Sequence, residues 1–401
     1  MKRLLQDLSP VTVPSGLLSA FVGFSSSFAV VVQGLVAVGA SPAQAASGLM
    51  MAALAMGLSG IVLSLRYRMP LSAAWTTPGA AFLATLAMPE GGFAVAVGAF
   101  MLASALIVLA GLWRPLGRLA EAIPMPLANA MLAGILLPLC LAPFRAMGTL
   151  PEIALPVFIG WAVMARVNRL LAVPTAVVLA AVLVWYGLEP GAFVLDRLWS
   201  GPVLVMPQLT LSAVVGIALP LFILTMASQN VTGIAVLKSF GYTPKAGPLI
   251  SFTGLMGFLA APFGSPGVNL AAITAALCAG PEAHPDPDRR YWSAVVAGLG
   301  YIVMGLGAAL AVSLMAVAPP AVIAAVAGLA LLGALAGSLS AAVAEPVARE
   351  SALITILITA SGVSFFGIGA AFWGLVAGAA LYAWDTRKLR KAAALAAAQE
   401  A

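Results

Sequence analysis

Charge is what this chain has least of. Only 8% of its 401 residues are Asp, Glu, Lys or Arg, while 62% are hydrophobic, against about 25% charged in a soluble domain. No water-soluble core hides that much apolar surface. Histidine occurs once, at His284 in the loop HPDPDRR, and cysteine twice, at Cys140 and Cys278, far apart in apolar segments. That leaves no haem ligands, metal cluster or acid–base pair, so no cofactor, metal or catalytic residue is expected. The formal net charge is +6, but the cations fall in short gaps between apolar runs, which argues against nucleic acid as a partner.

The thirteen acidic residues all lie away from the middle of the apolar runs. A buried carboxylate is the usual proton or sodium carrier of a pump, and here it is missing. The interior offers neutral polar groups instead: Ser25, Ser26, Ser27 and Gln33, then Thr76 and Thr77, then Ser228, Gln229, Asn230 and Thr232, then Ser265, Asn269 and Thr274.

What is present is a series of apolar runs long enough to cross a bilayer. The reading is an all-α polytopic membrane protein with fourteen transmembrane segments, at about 16–39, 44–65, 70–87, 92–113, 124–142, 151–165, 170–187, 210–236, 247–262, 265–280, 291–316, 318–338, 351–367 and 368–384. No trustworthy cleavage site ends the first run, which is expected to be retained. With the N-terminus inside, this frame puts 17 Lys and Arg on the cytoplasmic side and 2, Arg145 and Arg197, outside, accounting for all 19. The positive-inside rule then makes both termini cytoplasmic in a plasma (inner) membrane.

Seven spans per half force the second half in upside down. The sequence carries the trace of such an inverted repeat. Gly39-x-Ser-Pro42 and Gly241-x-Thr-Pro244 each precede a glycine-rich span, and each span is followed by a break, Thr77-Pro78-Gly79 in the first half and Ser265-Pro266-Gly267 in the second. Residues 1–188 form the first repeat, 189–209 an interfacial connector, 210–386 the second repeat and 387–401 a basic, Ala-rich cytoplasmic tail.

Proline has no N–H and pushes its predecessor toward an extended conformation. A half-helix is therefore expected to start at Pro78 and another at Pro266, in broken spans 3 and 10. Such paired breaks point to a transporter's binding site. Each helix start carries about half a positive charge and unpaired N–H groups, so two facing starts would hold a small carboxylate. Ser25, Ser26, Thr76, Thr77, Ser265, Gln229, Asn230 and Asn269 are the candidates to orient it. Phe28, Phe24, Trp75, Phe82, Phe222 and Phe263 are candidates for an apolar or aromatic body. Packing competes for every hydroxyl, because Ser and Thr in membrane helices bond their own i−4 carbonyls.

The ordered segments SAFVGFSSSFAVVVQG, WTTPGAAF, LPLFILTMASQNVTG and FGSPGVNLAAIT resemble the benzoate:proton symporter (BenE) family, over essentially the whole chain. That family is similar in architecture to uracil permease and the sulfate/anion exchangers. The resemblance implies a seven-plus-seven repeat with a core domain at about 16–113 and 210–316 and a gate domain at about 124–187 and 318–384. It also implies substrate between spans 3 and 10, movement of core against gate, and homodimers. Nucleobase permeases place glutamates where this chain has Gln229 and Pro266, which disfavours a nucleobase substrate and leaves the coupling residue unassigned. The expected function is import of an aromatic carboxylate, benzoate first, driven by protons. The alternatives are a transporter or exchanger of another small anion and, less well supported, a membrane-embedded enzyme subunit.

Overall fold

The computed structural model describes residues 9, 11–113, 115, 124–187, 201–365 and 368–400, the side chains of 273 and 388–400 excepted. The fold is almost wholly helical. In order come α1 (Thr12–Ser25), α2 (Phe28–Ala37), α3 (Pro42–Tyr67), β1 (Ala73–Trp75), α4 (Thr77–Ala84), α5 (Phe93–Leu112), α6 (Met125–Cys140), α7 (Ala142–Thr149), α8 (Pro151–Val167) and α9 (Ala172–Gly187). After the connector come α10 (Leu211–Ser239), α11 (Ala246–Ala260), β2 (Val268–Leu270), α12 (Ile273–Ala279), α13 (Tyr291–Leu306), α14 (Ala308–Val317), α15 (Pro320–Ala342), α16 (Arg349–Ser361) and α17 (Ala370–Glu400).

Among the described residues eight helices are long and apolar enough to cross a membrane, or nine if the bent pair α13–α14 counts as one. The fourteen expected segments each contain a helix, but several are too short to span alone. The first span is broken at Ser26–Ser27, between α1 and α2, where no proline signals it. The eleventh bends by 52° between α13 and α14. Of the connector, 189–200 lies outside the described residues. Its remainder is pinned: the Val203 N–H donates to Ser47 Oγ (2.8 Å), which donates to Phe263 O (2.9 Å), and the Gln208 N–H donates to Ala94 O (2.9 Å).

The two Gly-x-[Ser/Thr]-Pro motifs behave alike at their first residue. Gly39 and Gly241 have φ of 98° and 86°, a region open to glycine, and each ends the preceding helix. They part afterwards. Ser41 caps α3 in a reciprocal box with Gln44, and Pro42 is its first residue. In the second motif the helix waits until Ala246 and has no side-chain cap.

Packing falls into two groups. α1, α3, α5, α11 and α13 pack on one another with α2, α4 and α14, and α6, α8, α9, α15, α16 and α17 pack among themselves. Within the first group α3 and α13 meet backbone to backbone. A Cβ on Gly57 would lie 2.6 Å from Gly298 O, and one on Gly298 would lie 2.6 Å from Gly57 O. Only glycines permit that approach, the small-residue packing on which membrane helices depend.

Candidate functional site

The two chain breaks are side by side. β1 and β2 pair antiparallel, Ala73 with Leu270, Ala74 with Asn269 and Trp75 with Val268, and the Ala271 N–H extends the ladder to Ser72 O at 3.0 Å. Short strands are tolerated at membrane depth only where buried in protein with their backbone groups satisfied. This pair meets that condition: five of its six residues are buried, and Ala74 is half-buried.

The first break is as the sequence predicts to within one residue. α4 starts at Thr77 with Pro78 in its first turn, and Thr76 Oγ1 accepts from the Gly79 N–H at 3.2 Å. Because Pro78 has no N–H and Gly79 is already capped, the Thr77 N–H is the open donor of that turn. A Cβ on Gly79 would crowd Leu221 Cδ1 and sit 2.7 Å from Thr76 Oγ1, displacing the cap.

The second break corrects the expectation. No helix starts at Pro266: Ser265-Pro266-Gly267 leads into β2, and α12 begins at Ile273 and runs for seven residues. Proline precedes the strand here and follows it at the first break. Gly264 and Gly267, at φ 92° and 130°, turn the chain into the strand, whose backbone is then satisfied by β1 and by Asn230. A helix is not needed until the pairing ends. The second half-helix start therefore lies at Ile273, after the strand, and not at Pro266, so the expected pair of facing helix dipoles at Pro78 and Pro266 is not what the structure has.

α10 bridges the breaks. Thr76 Oγ1 and Thr225 Oγ1 are hydrogen-bonded at 2.8 Å, and Asn230 Oδ1 accepts from the Leu270 N–H at 3.0 Å. Between them, Met226–Asn230 forms a π turn, a one-residue widening that recurs at functional sites. Asn230 is wholly buried and also donates to Met226 Sδ at 3.4 Å. Its neighbour Gln229 is half-buried, as is Thr77, and neither side chain has a hydrogen-bond partner among the described residues. Ser228 bonds back to Leu224 O. Three further buried atoms near the strands lack partners among the described residues: Ser104 Oγ, Ser265 Oγ and Asn269 Oδ1. Asn269 Nδ2 donates to Leu270 O at 2.9 Å, which fixes the orientation of its amide. A Cβ on Gly257 would lie 3.1 Å from Ser104 Oγ and 2.9 Å from Val268 N, placing Ser104 against the strand entry.

The first span contributes differently from the expectation. Ser25 and Ser26 bond the carbonyls of Phe21 and Gly23 on their own helix, the packing role that competed with a ligand role. Ser27 donates to Gly23 O at 3.4 Å and also accepts from Trp75 Nε1–H at 2.9 Å. Phe24 then meets Trp75 edge-on at 5.2 Å and stacks on Phe28 at 5.9 Å. Trp75 and Phe82 are wholly buried. Phe28 is half-buried and lines an apolar cavity of about 240 Å³ between α2, α9, α14 and α15, which none of the polar residues at the breaks reaches.

Sequence reading passed over Thr225, Ser104 and Arg290 as site or supporting residues. Arg290 counts there only as a cytoplasmic charge. It is 8% exposed, the one buried charged side chain among the described residues, and donates to Ala279 O (2.8 Å), His284 O (2.7 Å) and Pro285 O (3.3 Å). With Ser293 Oγ on Cys278 O at 3.0 Å, it covers the carbonyls that end α12, where a cation is favoured by the helix dipole. Replacing Arg290 by Met should destabilise the folded protein by about 2 kcal/mol, the scale of charged hydrogen bonds to buried groups. A thermal melt in detergent unchanged from the parent would contradict that role.

Broken, glycine-packed helices around a buried and neutral polar seam are those of a multi-pass membrane protein. The fold is similar to that of two solved proteins: the transmembrane domain of a cyanobacterial bicarbonate transporter, BicA, matches with TM-score 0.61 at 16% identity, covering 92% of this chain and 96% of that one. SLC26A9 matches with TM-score 0.62 at 12% identity, over 93% of this chain and 65% of that one.

The chain belongs to the BenE family, described as Benzoate membrane transport protein, which it matches over residues 6–384. It is 40% identical to the inner membrane protein YdcO of Escherichia coli over 94% of this chain and 96% of that one. It is 32% identical to the benzoate membrane transport protein of Acinetobacter baylyi over 95% and 97%. Family and relatives point to transport rather than catalysis.

Proposed function

We propose that the protein imports an aromatic carboxylate, benzoate first, across the bacterial inner membrane together with a proton. The observation that carries this reading is the β1–β2 pairing, which sets two chain breaks together under the Thr225–Asn230 bridge and leaves the Thr77 and Gln229 side chains without partners among the described residues. The Thr77 N–H and hydroxyl and the Gln229 amide are donors suited to a carboxylate, and the half-helix start adds a favourable field. The name of the A. baylyi relative supports the substrate, and that of the E. coli relative supports the inner membrane.

The proton needs a carrier, and no Asp or Glu is buried among the described residues. In this reading the substrate's own carboxyl group carries it. Asn269 Oδ1 is a buried acceptor with no partner among the described residues. The O–H of a carboxylic acid would satisfy it, whereas a bare carboxylate would set lone pair against lone pair. The two packing groups support a core bearing the breaks that moves against a gate, with cytoplasmic termini from the charge bias and homodimers from the family resemblance.

Uptake of labelled benzoate into proteoliposomes with an acidic exterior, read against protein-free liposomes, tests this. Accumulation that collapses when the gradient is removed is expected, with aromatic acids competing and sulfate, bicarbonate and aliphatic acids failing to. Competition by bicarbonate or sulfate instead would favour an anion exchanger. Gln229→Ala should lower benzoate uptake about tenfold, the loss of one buried hydrogen bond of about 1.5 kcal/mol, with an unchanged melt. Unchanged uptake would remove Gln229 from the site.

A further inference from the structure

We propose that the apolar cavity between α2, α9, α14 and α15 is a lipid site that takes one acyl chain of a bilayer phospholipid. Apart from the indole of Trp185, no side chain lining its roughly 240 Å³ carries nitrogen or oxygen. A carboxylate or a water cluster would find no more than that one indole to bond there, and burying either largely unpaired is unfavourable. The aromatic acid assigned to the chain breaks is therefore not its occupant.

The cavity opens toward the surface that faces lipid. Leu310 and Trp185 line it and are 40% and 57% exposed, and Val178 and Val182 beside it on α9 are 55% and 43% exposed. Its volume comes from small residues, Ala180, Ala311 and Ala318, and from the 52° bend between α13 and α14, which falls at the lining residue Gly307. A flexible hydrocarbon entering sideways from the bilayer fits a dry, irregular space with that opening.

Its place gives the chain a consequence, which rests on the core and gate reading above. Phe28, Ala29 and residues 307–318 belong to one packing group, and residues 177–185 and 322–326 to the other. An acyl chain there is a wedge in the seam along which the two would slide, so its bulk sets the rate of that movement.

The test is to reconstitute the full chain in vesicles containing a phospholipid with a diazirine in its acyl chain, illuminate, and map adducts by mass spectrometry. Adducts should concentrate on 177–185 and 307–318, above those on the equally exposed Leu353 and Leu357 of α16. Ala180→Phe or Ala311→Phe, or the milder Ala311→Leu should the larger side chain prevent folding, should abolish them and change the rate of benzoate uptake. Adduct density equal to that of α16, or adducts displaced by added benzoate, overturns the lipid site. Localised adducts with no uptake in any variant would leave the lipid site standing and defeat the transport reading instead.

Discussion

Asn230→Leu is expected to abolish benzoate uptake and to destabilise the folded protein by about 2 kcal/mol, the cost of leaving one buried N–H unpaired. The reason is local. Asn230 Oδ1 is the side-chain acceptor for the Leu270 N–H, and leucine fills the volume without replacing the bond. The Leu270 N–H has no water to turn to, because Leu270 is 1% exposed. Losing it frees β2 from α10 and lets the second break drift from the first. Asn230→Asp separates the two effects: it keeps an acceptor oxygen and so should restore the melt, while a titratable group at the break should make uptake newly dependent on internal pH. Asn230→Leu with parental uptake would show that the bridge has no part in transport.

Gly298→Leu should prevent assembly of the fold altogether. The contact with Gly57 is backbone on backbone, so there is no flexible neighbour to yield. The new Cβ would meet Gly57 O at 2.6 Å and Ile61 Cγ1 at 2.7 Å before the rest of the side chain is placed. Overpacking in a core commonly costs 1–3 kcal/mol, and here two long helices would have to separate along their length. The reciprocal Gly57→Leu should fail in the same way, against Gly298 O and Ile302 Cγ1. Size-exclusion chromatography after detergent extraction is the check. A monodisperse variant with parental uptake would mean that α3 and α13 do not meet as described.

Much of this was legible in the sequence, for identifiable reasons. Pro78 announces the first break because its missing N–H and the restriction on Thr77 act locally. The Gly39 and Gly241 turns are readable because a positive φ selects glycine. The Ser265-Pro266-Gly267 break was located by composition but misjudged in geometry. Whether a proline opens a helix or leads into a strand depends on what satisfies the following backbone, and that partner, β1, lies nearly two hundred residues earlier. Thr225 was missed for a related reason: at 100° per residue it sits about 140° from Asn230 on a regular helix, and only the π turn between them brings both to the breaks. The break at Ser26–Ser27 has no proline, and what engages Ser27 is the indole of Trp75, a long-range contact. Arg290 read as a topology charge because a carbonyl cap, unlike an ion pair, leaves no complementary residue to find.

The location of bound substrate tests the central claim most directly. A cryo-electron microscopy structure with 4-bromobenzoate should place the carboxyl group within hydrogen-bonding distance of Thr77 and of the β1–β2 pair, on the side bridged by Thr225 and Asn230. Bromobenzoate seated in the apolar cavity by Phe28, with the strand pair unoccupied, would contradict it.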